Sequence, residues 1–212
     1  MKVITYNIHK CIGMDNKPSL KEIIKYLKKV DADIICLQEV LYPQFLKIKS
    51  KLKINGMFAC NTKTMGISYG VCIFSNFNIE DSSHMLLTSK KEQRGMLATG
   101  YEIQGNTVNI INVHLGLDKY ERYNQIDEII SYSNRLSGGI VICGDFNEKN
   151  ITINKFSDIA VLLGKYKENT FIPSDARIDY IFISKDLNPV KYNVDRVMFS
   201  DHYPVVGCIR QM

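Results

Sequence analysis

Apolar residues recur in short runs from one end of this chain to the other. They are VITYNI (3–8), DIICLQEV (33–40), GMFACN (56–61), YGVCIFS (69–75), GMLATGYEI (95–103), TVNIINVHL (107–115), GIVICGDF (139–146), RIDYIFIS (177–184) and VVGCIR (205–210). Their richness in β-branched and aromatic residues, and the Gly, Asn, Asp or Pro that bounds several of them, predict strands. Between some runs the apolar period changes to three and four. Leu20, Ile23, Ile24 and Leu27 share one helical face, behind a Ser19…Glu22 capping-box spacing. Further helices are predicted over 42–53 and 119–136, with a shorter one over 152–163. The runs 95–103 and 107–115 flank Gln104-Gly105-Asn106 and predict a hairpin. Hairpins mixed with helical crossovers argue against a purely parallel sheet. The expected fold is therefore α/β: a sandwich of two mainly antiparallel sheets packed face to face, with helices outside. No Pro/Gly/Ser-rich linker interrupts the pattern, so residues 1–212 read as a single domain.

Composition narrows the class. Of 212 residues, 45% are hydrophobic and 23% charged, enough to bury a full core without disulfides or a structural metal. The net charge of +5 suits an anionic substrate without demanding nucleic acid or a membrane surface. Many lysines, such as Lys21, Lys25, Lys28 and Lys29, fall at helical spacings and read as a solvated face. None of the six cysteines forms a CxxC pair, and Cys36, Cys72, Cys143 and Cys208 lie inside apolar runs. Buried, reduced thiols and a reducing compartment follow. The start MKVITYNIHK lacks an apolar export region, and no run of about 18 apolar residues could form a transmembrane segment. A cytoplasmic monomer is expected.

The informative polar residues cluster at strand ends. Asn7 ends the first run, Glu39 the second and His114 the sixth; Asp145 and Asn147 stand in GDFN, Asp179 in RIDYIF, and Asp201 and His202 in SDHYPVV. Singly, Asn7 reads as a turn residue, Asp179 as a fold residue and His114 as a core histidine. A carboxylate ending an apolar strand costs free energy unless it is paired or binds a cation. Repetition of that placement points to one polar pocket at a sheet edge. Its Asp, Glu, Asn and His donors, with no Cys or Ser nucleophile, suit Mg²⁺ or Mn²⁺ and hydrolysis of a phosphate ester.

The ordered set TYN, LQEV, NVHL, GDFN, RIDYIF and SDHYPVV resembles the endonuclease/exonuclease/phosphatase superfamily over residues 3–206, in its small bacterial branch. The resemblance implies the DNase I-like four-layer sandwich and a Mg²⁺-dependent phosphoesterase, with Mn²⁺ as a substitute. It implies Glu39 as the principal metal carboxylate, with Asn7 beside it and Asp201 completing the metal environment. Asp145 would orient or deprotonate the attacking water, and Asn147 would hold the phosphate or that water. His202 would contact the phosphate or act as base, supported by Asp179, and His114 would meet a non-bridging or leaving oxygen. His9, in NIHK, and Arg94, in QRGML, are candidate phosphate contacts. Glu121, Arg122 and Gln125 would order the helix after His114, and Thr170 and Phe171 would lie near the site entrance. The chain departs from the family at Val71 and Asn76, where an Asn and a basic residue are usual. A phosphodiesterase is expected. Nucleic acid, a lipid headgroup and a small phosphate ester all stay open as substrates, and a catalytically inactive phosphate-binding module is the rival of another class.

Overall fold

The computed structural model describes residues 1–211. Among the described residues, twelve strands form two six-stranded sheets. The first sheet has the order β11-β12-β1-β2-β4-β3, from Leu187–Val194, Val205–Gln211, Lys2–Asn7, Ile34–Leu41, Ile67–Ser75 and Asn55–Thr64. The second has the order β5-β6-β7-β8-β10-β9, from Asp81–Leu86, Gly95–Ile103, Asn106–His114, Gly139–Asp145, Asp179–Ser184 and Phe156–Asp158. Each sheet is antiparallel except for one central parallel pair, β1 with β2 and β7 with β8. Those two pairs are joined by helical crossovers, α1 (Leu20–Val30) and α3 (Lys119–Ser133).

Period-two alternation divides each strand between two cores. Val3, Ile34, Cys36, Val71, Ile73, Leu97, Ile110, Val141, Cys143 and Ile181 pack between the sheets. Their neighbours Ile4, Tyr6, Ile35, Leu37, Cys72 and Phe74 face α1 and α2 (Tyr42–Leu52). On the far side, Met96, Ala98, Ile111, Val113, Ile140 and Ile142 face Ile126 and Ile129 of α3. The result is helix, sheet, sheet, helix, the expected four-layer α/β sandwich.

Several local expectations change. Ser19 does not cap α1 through its side chain; its hydroxyl instead donates to the Phe199 carbonyl at 2.6 Å. The helix expected over 152–163 shrinks to α4 (Ile159–Leu162), because Ile153 enters the outer core of the second sheet and Phe156–Asp158 pair with β10. Asp158 then caps the short helix by accepting from the Ala160 N–H at 2.9 Å. Strands β5 and β11 were not predicted. Both are sheet edges with polar sequences, DSSHML and LNPVKYNV, whose outer side meets water rather than a partner strand. The hairpin is present, with Gln104 and Gly105 both at positive φ in a two-residue turn. All six cysteines are free. No helix among the described residues is long and apolar enough to cross a membrane.

Candidate active site

The alternation that builds the inter-sheet core also ends it. On β1, Val3 and Thr5 lead inward to Asn7; on β7, Val108, Ile110 and Asn112 lead to His114; on β8, Val141 and Cys143 lead to Asp145. His114 is the register partner of Asp145, and Asp145 is the partner of Asp179 at the start of β10. Three polar side chains thus stand side by side across three strands of the second sheet. Below them, Gln38 donates to Asn112 Oδ1 at 2.6 Å and to Thr5 Oγ1 at 3.0 Å, and Asn112 donates to the Leu37 and Cys72 carbonyls. This buried polar layer ties the two sheets together directly beneath the site.

Glu39 arrives differently. Strand β2 carries a β-bulge between Leu37 and Val40, and Glu39 sits in it at φ +55°. The bulge re-aims a carboxylate that strict alternation would send to the outer face. Opposite it on β4, Gly70 lets the neighbouring backbone close in: a Cβ there would lie 2.0 Å from the Ala59 carbonyl oxygen. After Asn7 the chain does not stay extended, as expected for His9, but makes a single left-handed turn through His9, Lys10 and Cys11. That turn brings His9 Nδ1 to 3.3 Å from Asp201 Oδ1 and Lys10 Nζ to 3.3 Å from Glu39 Oε2.

In the GDFN turn, Gly144 at φ +145° passes close to the Val113 carbonyl, where a Cβ would sit at 2.0 Å. Phe146 packs outward against Tyr180 and Phe182, leaving Asp145 inward. The Asn147 N–H donates to Asp145 Oδ1 at 2.9 Å, and its side-chain amide donates to the Leu115 carbonyl at 2.9 Å. The other Asp145 oxygen, Oδ2, is the hub of the site. Asn7 Nδ2 donates to it at 3.0 Å, while His114 Nε2 and His202 Nε2 each stand 3.6 Å away. His202 Nδ1 bonds Asp179 Oδ2 at 2.8 Å, and the Phe171 ring lies against the imidazole at 4.7 Å. Thr170, expected near the entrance, is fully buried; its hydroxyl accepts from the Ile178 and Asp179 N–H groups. Arg94 bridges Glu92 Oε1 at 2.5 Å and the His114 ring at 3.1 Å. Glu121, Arg122 and Gln125 are buried. Arg122 donates to the Gly116 carbonyl and Gln125 accepts from the Gly116 N–H, which orders the segment after His114. Val71 belongs to the inter-sheet core, and Asn76 lies at the far end of β4, donating to the Ala32 carbonyl.

Burial and neighbouring charge set the protonation states. For His202, burial opposes the charge, but Asp179 and then Asp145 outweigh it and raise the imidazole to about 10. For His114, burial and the Arg94 cation together lower it to about 4. For Asp145, burial pushes the carboxyl up against the pull of His202. For Glu39, burial is overcome by His114, Lys10 and His9, and the carboxyl falls to about 2. Because His114 is itself neutral near pH 7, Lys10 is the standing cation at Glu39. At neutral pH the site therefore holds one charged imidazole and one neutral one, about 3.6 Å on either side of the same carboxylate oxygen.

The donor set fits a hard divalent cation. Glu39, Asp145 and Asp201 offer oxygens, and Asp179 Oδ1 is buried without a hydrogen-bond partner. Asp145, Asp179 and His202 lie close enough together to hold an ion. Without a metal, Asp179 and Asp145 favour the charged form of His202, which has no lone pair to give. Glu39, partly open to solvent and at the rim, is the better-suited carboxylate. The Asn7 oxygen accepts from the His9 N–H at 3.0 Å, so its amide nitrogen is the group facing Glu39 and Asp145. All ten residues expected at the site meet around this edge. Lys10, Gln38, Asn112 and Ser200 were not among them. Asn112 was readable, since it lies two residues before His114 on the same strand. Ser200, whose hydroxyl donates to the Asn7 carbonyl at 2.7 Å, adjoins Asp201.

The fold is shared with known proteins. The uncharacterized protein YbhP of Escherichia coli K12 is 26% identical over 168 residues, covering 69% of this chain and 66% of its own length. The mannosyl-6-phosphatase of Bacteroides thetaiotaomicron superposes with a TM-score of 0.84 at 17% identity, over 99% of each chain. The zebrafish (D. rerio) protein TDP2, complexed with a single-strand DNA product, superposes with a TM-score of 0.85 at 15% identity, over 100% of this chain and 99% of its own. The sequence profile of the Endonuclease/Exonuclease/phosphatase family matches residues 4–202, which span every residue of the site, and the chain belongs to that family.

Proposed function

We propose that the protein is a Mg²⁺-dependent phosphodiesterase that hydrolyses a phosphate ester by attack of water. The observation that carries this reading is the Asp145 Oδ2 hub: one buried carboxylate oxygen held by Asn7 and flanked by a charged and a neutral imidazole. Membership of a phosphoester-hydrolase family supports the reaction class. Glu39 and Asp201, with Asn7 beside them, would hold the cation. Bound there, Mg²⁺, or Mn²⁺ in its place, supplies charge neutralisation at the phosphoryl oxygens.

The chain's own groups account for the rest. Asp145, with its basicity raised by burial, orients the water and takes its proton. His202, kept charged by Asp179, donates to a phosphoryl oxygen. His114 meets a second oxygen as a neutral imidazole, and Asn147, anchored on Leu115, steadies the phosphate or the water. Arg94, buried beside His114, and His9, at the rim, contact the phosphate. A groove of about 570 Å³ begins one residue beyond Asn147 and is lined by Lys119, Arg122, Tyr123 and Lys149 among others.

A nuclease is the second reading, favoured by the lysines and tyrosine of that groove. The test is a panel of phosphodiesters and phosphomonoesters, including a single-stranded oligonucleotide, assayed with Mg²⁺ and with Mn²⁺ against a Glu39→Gln control. Metal-dependent turnover of at least one diester, lost in the control, is expected. Hydrolysis of monoesters alone would displace the diesterase reading. Phosphate binding without turnover of any substrate would favour a binding module.

A further inference from the structure

We infer that Lys10 is a built-in competitor for the metal: its ammonium is the resting counter-ion of Glu39, and a divalent cation must displace it to bind. This rests on the proposal that Glu39 is the principal metal carboxylate, and it adds a residue that sets how much metal the protein needs.

Both oxygens of Glu39 already have partners. Asn7 Nδ2 stands 3.4 Å from Oε1, and Lys10 Nζ stands 3.3 Å from Oε2. Neither residue of the ion pair reaches the other through ordinary backbone. Glu39 sits in a bulge at φ +55°, and Lys10 is the middle of three consecutive left-handed residues, none of them glycine. Non-glycine residues are disfavoured in this region and persist only where their surroundings enforce them. The surroundings here are specific. The Lys10 carbonyl accepts from Gln44 Nε2 at 2.5 Å, and the same Gln44 side chain accepts from the Leu41 N–H at 3.0 Å. The next residue, Cys11, is buried, and its carbonyl accepts from the Ser19 N–H at 2.8 Å. The Lys10 ammonium also lies 5.5 Å from the centre of the Tyr69 ring. One side chain at the start of α2 thus fixes the turn that holds Lys10 over Glu39.

The charge balance gives this a purpose. Glu39, Asp145, Asp179 and Asp201 converge on one edge, and carboxylates brought together repel unless cations stand among them. His202 serves Asp145 and Asp179, and His9 faces Asp201. The Lys10 ammonium stands against Glu39. A divalent cation bound at Glu39 would repel the nearby ammonium, so binding requires Lys10 to swing out. Its side chain is 39% exposed, which leaves it room to do so.

The experiment measures Mn²⁺ binding to the full, EDTA-treated chain by titration calorimetry, with the Mn²⁺-induced rise in Tm as a second readout. The proteins are wild type, Lys10→Met, Lys10→Gln, Lys10→Arg and Glu39→Gln. Removing the charge, by Met with the stem kept or by Gln, is expected to tighten Mn²⁺ binding about tenfold. The neutral variants should also enlarge the Mn²⁺-induced rise in Tm. Lys10→Arg should bind as wild type does. Glu39→Gln should weaken binding, and in that background Lys10→Met should have no further effect. If Glu39→Gln weakens binding but both neutral Lys10 variants leave it unchanged or weaker, the competitor role is overturned while the metal reading stands. If Glu39→Gln binds like wild type, the metal reading itself fails and takes this inference with it.

Discussion

The two sheets bring their halves of the site together by opposite means. The second sheet uses regular strands. His114, Asp145 and Asp179 are register neighbours on β7, β8 and β10, all three buried, and their direction follows from strand alternation. The first sheet uses irregular backbone. Glu39 depends on a bulge, and Lys10 and His9 on a left-handed turn; all three are partly open to solvent. Rigid alternation suits groups that must hold a water and a proton in fixed geometry. A bulge at the rim suits a carboxylate that must exchange one cation for another. Under the proposed function, the regular strands of the second sheet would carry the chemistry, with His202 brought in by the loop before β12, and the bulge of the first sheet would carry the metal.

The largest test of that division falls on the regular side. Asp179 and His202 share a 2.8 Å hydrogen bond and should act as a unit. With Mg²⁺ saturating, Asp179→Asn is expected to lower kcat/KM by about 10²–10⁴-fold while the protein stays folded. Adding His202→Ala should then cost little more. Losses that simply multiply in a double-mutant cycle would mean the two residues work independently.

A smaller effect probes the bulge. Gly70→Ala places a Cβ 2.0 Å from the Ala59 carbonyl oxygen, so the backbone opposite the Glu39 bulge must shift. Overpacking of this kind costs about 1–3 kcal/mol, read as a lower urea midpoint with an unchanged m-value. The Mg²⁺ requirement should rise in the same variant. Unaltered stability would mean that this strand contact does not lock the bulge.

The last test is the pH dependence of the metal-free protein. His202 is raised from 6.5 to about 10, so its contribution to stability is fully present below about pH 6.5 and is lost as pH rises through about 10. Glu39 is lowered from 4.5 to about 2, so its contribution is present above about pH 4.5 and is lost as pH falls through about 2. Tm measured from pH 6 to 10 in EDTA should decline in wild type and decline less in His202→Gln. Parallel curves would show that His202 is not held charged by the regular side.

The same contrast governs what the sequence reveals. Asn7, His114 and Asp145 were legible as polar residues at the ends of apolar runs and Asp179 as one interrupting such a run, and all four stand in the motif set of the family. Glu39 was legible as a residue, but its inward direction was not, since no local signal in LQEV announces a bulge. His9 was expected to point inward from an extended strand, and reaches the site through a turn instead. Lys10 stands in the NIHK motif, but its contact with Glu39 was not legible, because it spans 29 positions. The edge strands β5 and β11 were hidden by polarity, and the helix expected over 152–163 was legible but is shorter, as α4. Ser19 showed capping spacing, yet the Phe199 carbonyl, 180 positions away, claimed its hydroxyl.

The most direct measurement is a Mg²⁺ titration of phosphodiester hydrolysis by EDTA-treated wild type, Glu39→Gln and Asp145→Asn. Wild type should be silent at trace metal and recover fully as Mg²⁺ is added. Glu39→Gln should need at least about tenfold more Mg²⁺. Asp145→Asn should keep the wild-type midpoint with kcat reduced about 10²–10⁴-fold. Full turnover at trace metal, or coincident metal curves and equal losses in the two variants, would contradict the account.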